Sequence, residues 1–123
     1  MIPEVSGAAL TDAQRRICDD IDAALIERLT CLLVETPSEN PGGSEAAAAE
    51  VLAGAAAGLG LSVDTDEAAP GRPNVRATWS PATATGPGLM FLGHSDVVPA
   101  GPHWTGDPYR VRRVLDDGGR TLL

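Results

Sequence analysis

Aromatic residues are scarce in this sequence of 123 residues, which contains two tryptophans, one tyrosine and one phenylalanine. Hydrophobic residues make up 43% of the chain, but much of that content is alanine. The core must therefore depend on leucine, isoleucine and valine, and we expect it to be thin. The length fits one ordinary domain, with residues 1–10 as an N-terminal tail and residues 11–123 as the folded part.

Positive charge is also in short supply, and the formal net charge is −8. No basic stripe could displace counterions from phosphates, which argues against a nucleic-acid partner. The one basic cluster, Arg110, Arg112 and Arg113, is followed at once by Asp116 and Asp117, a pattern typical of a solvated surface of mixed charge. The glycine-rich segments lack the spacing and the lysine of a phosphate loop, which disfavours a nucleotide-binding module.

Cysteines and long hydrophobic runs are few. Cys18 and Cys31 fall in one predicted helix, about 20 Å apart, which is too far for a disulfide. No run approaches the roughly 18 apolar residues of a membrane span. The segment Met1–Val5 has neither the basic nor the apolar region of a signal peptide. The sequence therefore predicts a soluble, cytoplasmic protein with no membrane partner.

Two helices are predicted in the first half of the chain. A capping box at residues 11–14 precedes apolar residues at helical spacing over 17–33, which predicts one amphipathic helix of about 22 residues. This helix must end before Pro37, because proline disfavours helical geometry in the residue before it. Ser44 is placed to cap a second, alanine-rich helix that ends at Gly60.

Strands are predicted in the second half. Alternating residues over 61–66 and 74–79 indicate two half-exposed strands. The apolar run at 89–93 predicts a strand buried on both faces of a sheet. An edge strand at 109–115 and a tight turn at 116–119 follow. This order of elements is typical of an α/β or α+β domain, but two helices barely cover such a sheet, so we expect a truncated domain.

A histidine and an aspartate follow the predicted buried strand. Because side chains alternate along a strand, His94 and Asp96 are expected on the same face, roughly 7 Å apart along the backbone. Open sheets place ligand sites at such strand ends. An imidazole and a carboxylate there can form half of a metal site or an acid–base pair. The residues alone leave a structural histidine as the alternative.

Four motifs in order carry a family resemblance over residues 21–119. They are Leu32–Pro41 with Gly43-Ser44-Glu45, then Arg72-Pro73-Asn74-Val75, then Leu92–Gly101, then Trp104 with Asp107-Pro108-Tyr109. In this order they resemble the N-terminal part of the di-zinc metallopeptidases and deacylases that include acetylornithine deacetylase, succinyl-diaminopimelate desuccinylase, aminoacylase and glutamate carboxypeptidase. Ser95 stands where threonine is commoner, and Tyr109 stands where phenylalanine is usual.

The resemblance implies an α/β fold, namely the N-terminal part of a zinc-exopeptidase-like catalytic domain in which two helices precede a mixed sheet. It implies that His94 is a metal ligand, binding zinc as neutral imidazole. Asp96 would be the catalytic helper that orients or polarises the imidazole, with a turn or capping aspartate as the alternative. The family uses two zinc ions, and cobalt is an alternative metal. Trp104 is expected to anchor its loop by packing, and His103 is expected to be exposed.

The implied reaction is hydrolysis of the amide bond in N-acyl amino acids or peptides, with such a small molecule as the partner. The family's bridging aspartate, acidic pair, glutamate base and distant histidine find no match here, and a catalytic zinc site needs three protein ligands. We therefore expect residues 11–123 to be a partial zinc-hydrolase catalytic domain without turnover of its own. The alternative is a non-catalytic, truncated or degenerate α/β domain that acts by protein association, including homo-oligomers paired through a sheet edge.

Overall fold

The computed structural model describes residues 9–83, 85–118 and 121–122. Its elements in chain order are α1 (Asp12–Asp19), α2 (Ala23–Val34), α3 (Ala46–Gly58), β1 (Ser62–Ala69), β2 (Arg72–Thr78), β3 (Val114–Leu115) and β4 (Thr121–Leu122). The predicted mixture of helices and strands is confirmed. Most of the predicted tail, residues 1–8, and Gly119 of the predicted turn lie outside the described residues.

The first predicted helix is in fact two helices. The capping box is present, because Gln14 N donates to Thr11 Oγ1 at 3.2 Å and Thr11 N donates to Gln14 Oε1 at 2.8 Å. A second start signal follows, since the Asp22 carboxylate accepts the Leu25 amide at 2.9 Å and caps α2. Aspartate favours helix starts over helix interiors, so the prediction of one continuous helix is wrong. As predicted, α2 ends shortly before Pro37.

The end of α3 is a Schellman motif built on Gly60. Gly60 has a φ of +80°, a left-handed backbone that glycine adopts without a steric penalty. The Gly60 amide donates to Ala57 O at 2.9 Å, and the Leu61 amide donates to Ala56 O at 3.1 Å. These two bonds satisfy carbonyls that the end of a helix leaves without partners. The predicted end of the second helix is confirmed.

The β1–β2 hairpin matches the two predicted strands. Val63 pairs with Ala77 and Thr65 with Val75 in antiparallel register. The two strands join through Pro70-Gly71, where Gly71 has a φ of +73°. The pairing β3–β4 is also antiparallel. Within the described part of the chain no mixed sheet forms, and the one parallel contact is an isolated bridge between residues 39 and 97.

The core lies where α3 packs on this hairpin. Among the described residues, the buried apolar side chains are Ala48 and Ala49, at 2% and 4% exposure. Beside them the Glu45 carboxylate is buried and forms an ion pair with Arg72 of β2. Ser44 Oγ donates to Gly71 O at 2.8 Å and accepts the Ala46 amide at 3.1 Å. The expected thin core is confirmed, but its expected dependence on leucine, isoleucine and valine is wrong among the described residues, where alanines form it. Polar contacts fasten the start of α3 to the hairpin turn.

The predicted strands at 89–93 and 109–115 are largely absent. The side chains of Leu89–Leu92 are 80% to 90% exposed, and the segment has no strand pairing. Of the predicted edge strand, only Val114–Leu115 is a strand. An apolar run becomes a buried strand only if a neighbouring strand pairs with its backbone and other elements cover its faces. Within the described residues, β1 and β2 pair only with each other and leave 89–93 uncovered. None of the described helices has the length and apolarity to cross a membrane.

Candidate functional site

The two predicted site residues are in direct contact. His94 Nδ1 lies 3.0 Å from Asp96 Oδ1 and 2.9 Å from the Asp96 carbonyl oxygen. The His94 side chain is 82% exposed and that of Asp96 is 40% exposed. The two side chains are therefore close together, but the predicted reason is wrong, because the segment that carries them is not a strand.

The surroundings of Nδ1 determine where the imidazole proton lies. A carbonyl oxygen and an ionised carboxylate are acceptors only. His94 Nδ1 must therefore be the donor to Asp96, and in the neutral ring the lone pair lies on Nε2. Metal-ligating histidines commonly donate their other ring N–H to a carboxylate or a carbonyl in this way. The geometry thus leaves His94 Nε2 with the chemistry of a metal ligand.

Asp96 also bonds to Asn40, which lies between α2 and α3. Asn40 Nδ2 donates to Asp96 Oδ2 at 3.2 Å. This hydrogen bond, followed by that from His94, holds the pKa of Asp96 below its ordinary value. Hydrogen bonds to a charged carboxylate favour its ionised form. Asp96 is therefore an anion at neutral pH and can accept from both neighbours at once.

A backbone clamp holds the loop of Asn40 beside the histidine motif. Val97 N donates to Ser38 O at 3.0 Å, and Asn40 N donates to Val97 O at 2.8 Å. Ser38 is 4% exposed, and its hydroxyl donates to Ser95 O at 2.6 Å. The sequence analysis missed these partners. The only available signal was that the first and third motifs of the family resemblance contain them.

A second set of bonds joins the same loop to the fourth motif. Glu39 Oε1 accepts the Ala100 amide at 3.0 Å and also the Tyr109 hydroxyl. The Tyr109 hydroxyl and then the Ala100 amide hold the pKa of Glu39 below its ordinary value. Conversely, the Glu39 carboxylate raises the pKa of Tyr109 to about 12. One carboxylate therefore links the first, third and fourth motifs.

The predictions for Trp104 and His103 have different outcomes. The Trp104 ring is exposed, and its Nε1 donates to Ala100 O at 2.9 Å. Trp104 therefore anchors its loop through a hydrogen bond, and the predicted anchoring by packing is wrong. His103 is exposed, as predicted.

The described residues do not complete a metal site. Over residues 9–83, 85–118 and 121–122, no three His, Cys, Asp or Glu side chains come together in an arrangement that could hold a metal ion. Catalytic zinc requires three protein ligands. His94, which is exposed and has its lone pair on Nε2, could supply one such ligand.

An open cavity of about 890 Å³ borders the motif. Its walls are β2, α3 and the segment Met90–Asp96, and its volume lies in the range of small-molecule sites. Arg72 and Arg76 line it, but Arg72 pairs with Glu45, and Arg76 pairs with Asp64. Both cations are therefore already compensated by carboxylates.

Comparison with curated proteins finds succinyl-diaminopimelate desuccinylases. The protein from Delftia acidovorans is 36% identical over 87 residues, which are 67% of this chain and 22% of that protein. Those from Methylobacterium sp. and Rhizorhabdus wittichii are each 40% identical, over 63% and 66% of this chain and 20% and 21% of theirs. The chain thus spans about a fifth of the length of these relatives.

No family model matches the sequence, and no solved structure matches it. The matches to curated proteins confirm the predicted family. This chain belongs to the family of the succinyl-diaminopimelate desuccinylases.

Proposed function

We propose that this chain is part of a zinc-dependent hydrolase that cleaves the amide bond of N-acyl amino acids or peptides. The observation that carries the proposal is the contact of His94 Nδ1 with Asp96, which leaves the lone pair on an exposed Nε2. The names of the relatives add support, since a desuccinylase removes a succinyl group.

In this proposal His94 holds zinc through Nε2. Asp96 keeps the proton on Nδ1, fixes the plane of the ring and raises the basicity of the ligand. Zinc held there would supply Lewis-acid chemistry for the amide carbonyl and for the attacking water. The cavity beside β2 offers room for a small acylated substrate.

The remaining ligands and the proton-accepting glutamate must come from other sequence. The matched relatives are several times longer than the region they share with this chain, so such a polypeptide has length available for them. We therefore expect no hydrolysis by the 123-residue chain alone, because one histidine cannot hold catalytic zinc. A cytoplasmic location is part of the proposal and agrees with the free thiols of Cys18 and Cys31.

The second candidate function is non-catalytic association with protein. It is favoured by the exposed apolar side chains of Leu89–Leu92, because contiguous exposed apolar surface is typical of interaction sites. It predicts partner binding without any requirement for His94.

A chimeric enzyme separates the two candidates. The 87 matched residues of the Delftia acidovorans desuccinylase are replaced by the corresponding residues of this chain, and hydrolysis of N-succinyl-diaminopimelate is measured with and without zinc. We expect zinc-dependent turnover that H94A abolishes and H103A retains, since His103 is the other histidine of the chain. A folded chimera that hydrolyses the substrate equally well with H94A would overturn the proposal.

A further inference from the structure

We propose that Asn40 is a positioning residue that orients the Asp96 carboxylate and thereby sets the tautomer of His94. Its consequence for metal binding rests on the proposed function. The tautomer itself is a property of the chain without metal. Asn40 touches neither the ring of His94 nor a reacting atom and would act only through Asp96.

The two oxygens of Asp96 have separate partners. Oδ2 accepts from Asn40 Nδ2 at 3.2 Å, and Oδ1 lies 3.0 Å from His94 Nδ1. A carboxylate with one donor can rotate about its Cβ–Cγ bond, whereas a donor on each oxygen fixes its plane. Fixing that plane keeps Oδ1 directed at Nδ1, where it accepts the imidazole proton together with the Asp96 carbonyl oxygen at 2.9 Å.

Asn40 is itself held in place. Its backbone N–H donates to Val97 O at 2.8 Å, and the backbone oxygen of Ser38 on the same loop accepts from Val97 N at 3.0 Å. The backbone of Asn40 is therefore hydrogen-bonded to the segment that contains His94 and Asp96, which limits where its side chain can lie. Because a carboxylate can only accept, the Asn40 amide must present its NH₂ group to Asp96. An aspartate at position 40 would present a second anion instead.

The hairpin provides a matched control. Asn74 Nδ2 donates to Asp66 Oδ2 at 3.3 Å, which is the same chemistry at nearly the same distance. Asp66 has an arginine 3.7 Å from its other oxygen, so this pair does not hold an imidazole. Removal of the Asn74 amide therefore costs a comparable hydrogen bond without affecting His94.

The experiment records long-range ¹H–¹⁵N spectra of His94 in the full metal-free chain. It is run at about pH 8, which is above the ordinary histidine pKa of roughly 6.5. We expect the Nδ1–H tautomer to dominate in the wild type. In N40A and N40D the ratio of Nδ1–H to Nε2–H should fall about fivefold, which corresponds to ~1 kcal/mol, the net value of one hydrogen bond. N74A should keep the wild-type ratio.

The double variant tests whether Asn40 acts through Asp96. In a D96A background, N40A should cause no further change in the ratio. An unchanged ratio in N40A, or an equal change in D96A/N40A relative to D96A, would overturn the proposal. The amide signals of Ser38 and Val97 report whether N40A disturbs the backbone clamp. If it does, the tautomer ratio of N40D decides the question, because aspartate has the same size as asparagine.

Zinc binding separates this inference from the proposed function. If His94 is a ligand, N40A should weaken zinc binding to the chimeric enzyme by about 10–100-fold, as loss of partners behind a ligand commonly does. A shifted tautomer in N40A together with no zinc at His94 in the wild-type chimera would contradict the proposed function and leave the positioning role of Asn40 standing.

Discussion

At the scale of single residues, the Glu39 carboxylate joins two segments of the chain that lie near the motif. Its Oε1 accepts from Ala100 N and from the Tyr109 hydroxyl, groups that lie far along the chain. These bonds favour the carboxylate form of Glu39 and the neutral form of Tyr109, which lowers the pKa of Glu39 and raises that of Tyr109 to about 12. Glu39 therefore stabilises the loops around His94 only while it is ionised and Tyr109 is neutral.

The pH window of this contact follows from the two shifts. A lowered folded-state pKa means that the Glu39 contribution is present above its ordinary value of 4.5 and is lost as the pH falls through the lowered value. A raised folded-state pKa means that the Tyr109 contribution is present below 10.0 and is lost as the pH rises towards about 12. We expect Y109F to move the pKa of Glu39 back up, as measured by the NMR titration of its carboxyl carbon. An unmoved titration would show that Tyr109 is not its main partner.

At the scale of elements, α3 is joined to β2 by a charge pair that is unusual for its burial. The Glu45 side chain is 8% exposed, while its partner Arg72 is 32% exposed. The second Glu45 oxygen, Oε2, has no hydrogen-bond partner in the described part of the chain. Removing the arginine would leave a buried anion without compensation, which is costlier than losing an exposed pair.

Two arginine variants test this difference. We expect R72A to lower the free energy of unfolding by about 1–3 kcal/mol, because a buried carboxylate loses its partner. R76A is the matched control on the same strand, where the pair with Asp64 is exposed, and it should cause a clearly smaller loss. Urea unfolding measures both. Equal losses would contradict the role given to Glu45 and Arg72.

Substitutions of Gly60, at the end of α3, and of Gly54, inside it, should change the stability in opposite directions. G60A places a side chain at a φ of +80° and should destabilise the chain by about 1–2 kcal/mol. Gly54 lies inside α3, where an added Cβ would meet open space. G54A should therefore stabilise the chain by roughly 0.5–1 kcal/mol. The same urea experiment compares the two, and a stabilising G60A would rule out the Schellman motif.

The sequence predicts an element well when adjacent residues determine it and poorly when distant residues do. The capping box at Thr11 and the helix end at Gly60 were predictable because a few adjacent residues determine them. The break between α1 and α2 was also local, but the capping signal of Asp22 was outweighed by the apolar periodicity around it. The absence of the predicted strand at 89–93 was not predictable, because burial depends on partners that the local pattern cannot supply. The contact of Asn40 with Asp96 joins loops 56 residues apart, and no local pattern encodes it.

At the scale of the whole molecule, the described part has a small core and much exposed apolar surface. The buried apolar side chains there are two alanines, whereas Leu89, Met90, Phe91 and Leu92 are exposed. Contiguous apolar surface of this kind promotes association and aggregation. The same segment lies beside the candidate site and lines its cavity from residue 90 onward.

Replacing that surface should change the association state. We expect the wild-type chain to bind a hydrophobic dye and to sediment as oligomers, and F91S/L92S to reduce both. L59S is the control, because Leu59 is also exposed but lies at the end of α3. Analytical ultracentrifugation at several concentrations gives the answer. An equal effect of L59S would show that the segment has no special part in association.

The central claim is that His94 accepts a metal through Nε2 while Asp96 holds Nδ1, and a zinc titration tests it most directly. Histidine-¹⁵N-labelled chain is titrated with zinc, and the ring nitrogens of His94 and His103 are followed together, with H94A as the reference. We predict a zinc-dependent shift of His94 Nε2 with the proton retained on Nδ1. The affinity should be weak, because no three potential ligands come together among the described residues. Zinc-dependent shifts confined to His103, or coordination at His94 Nδ1, would contradict the account.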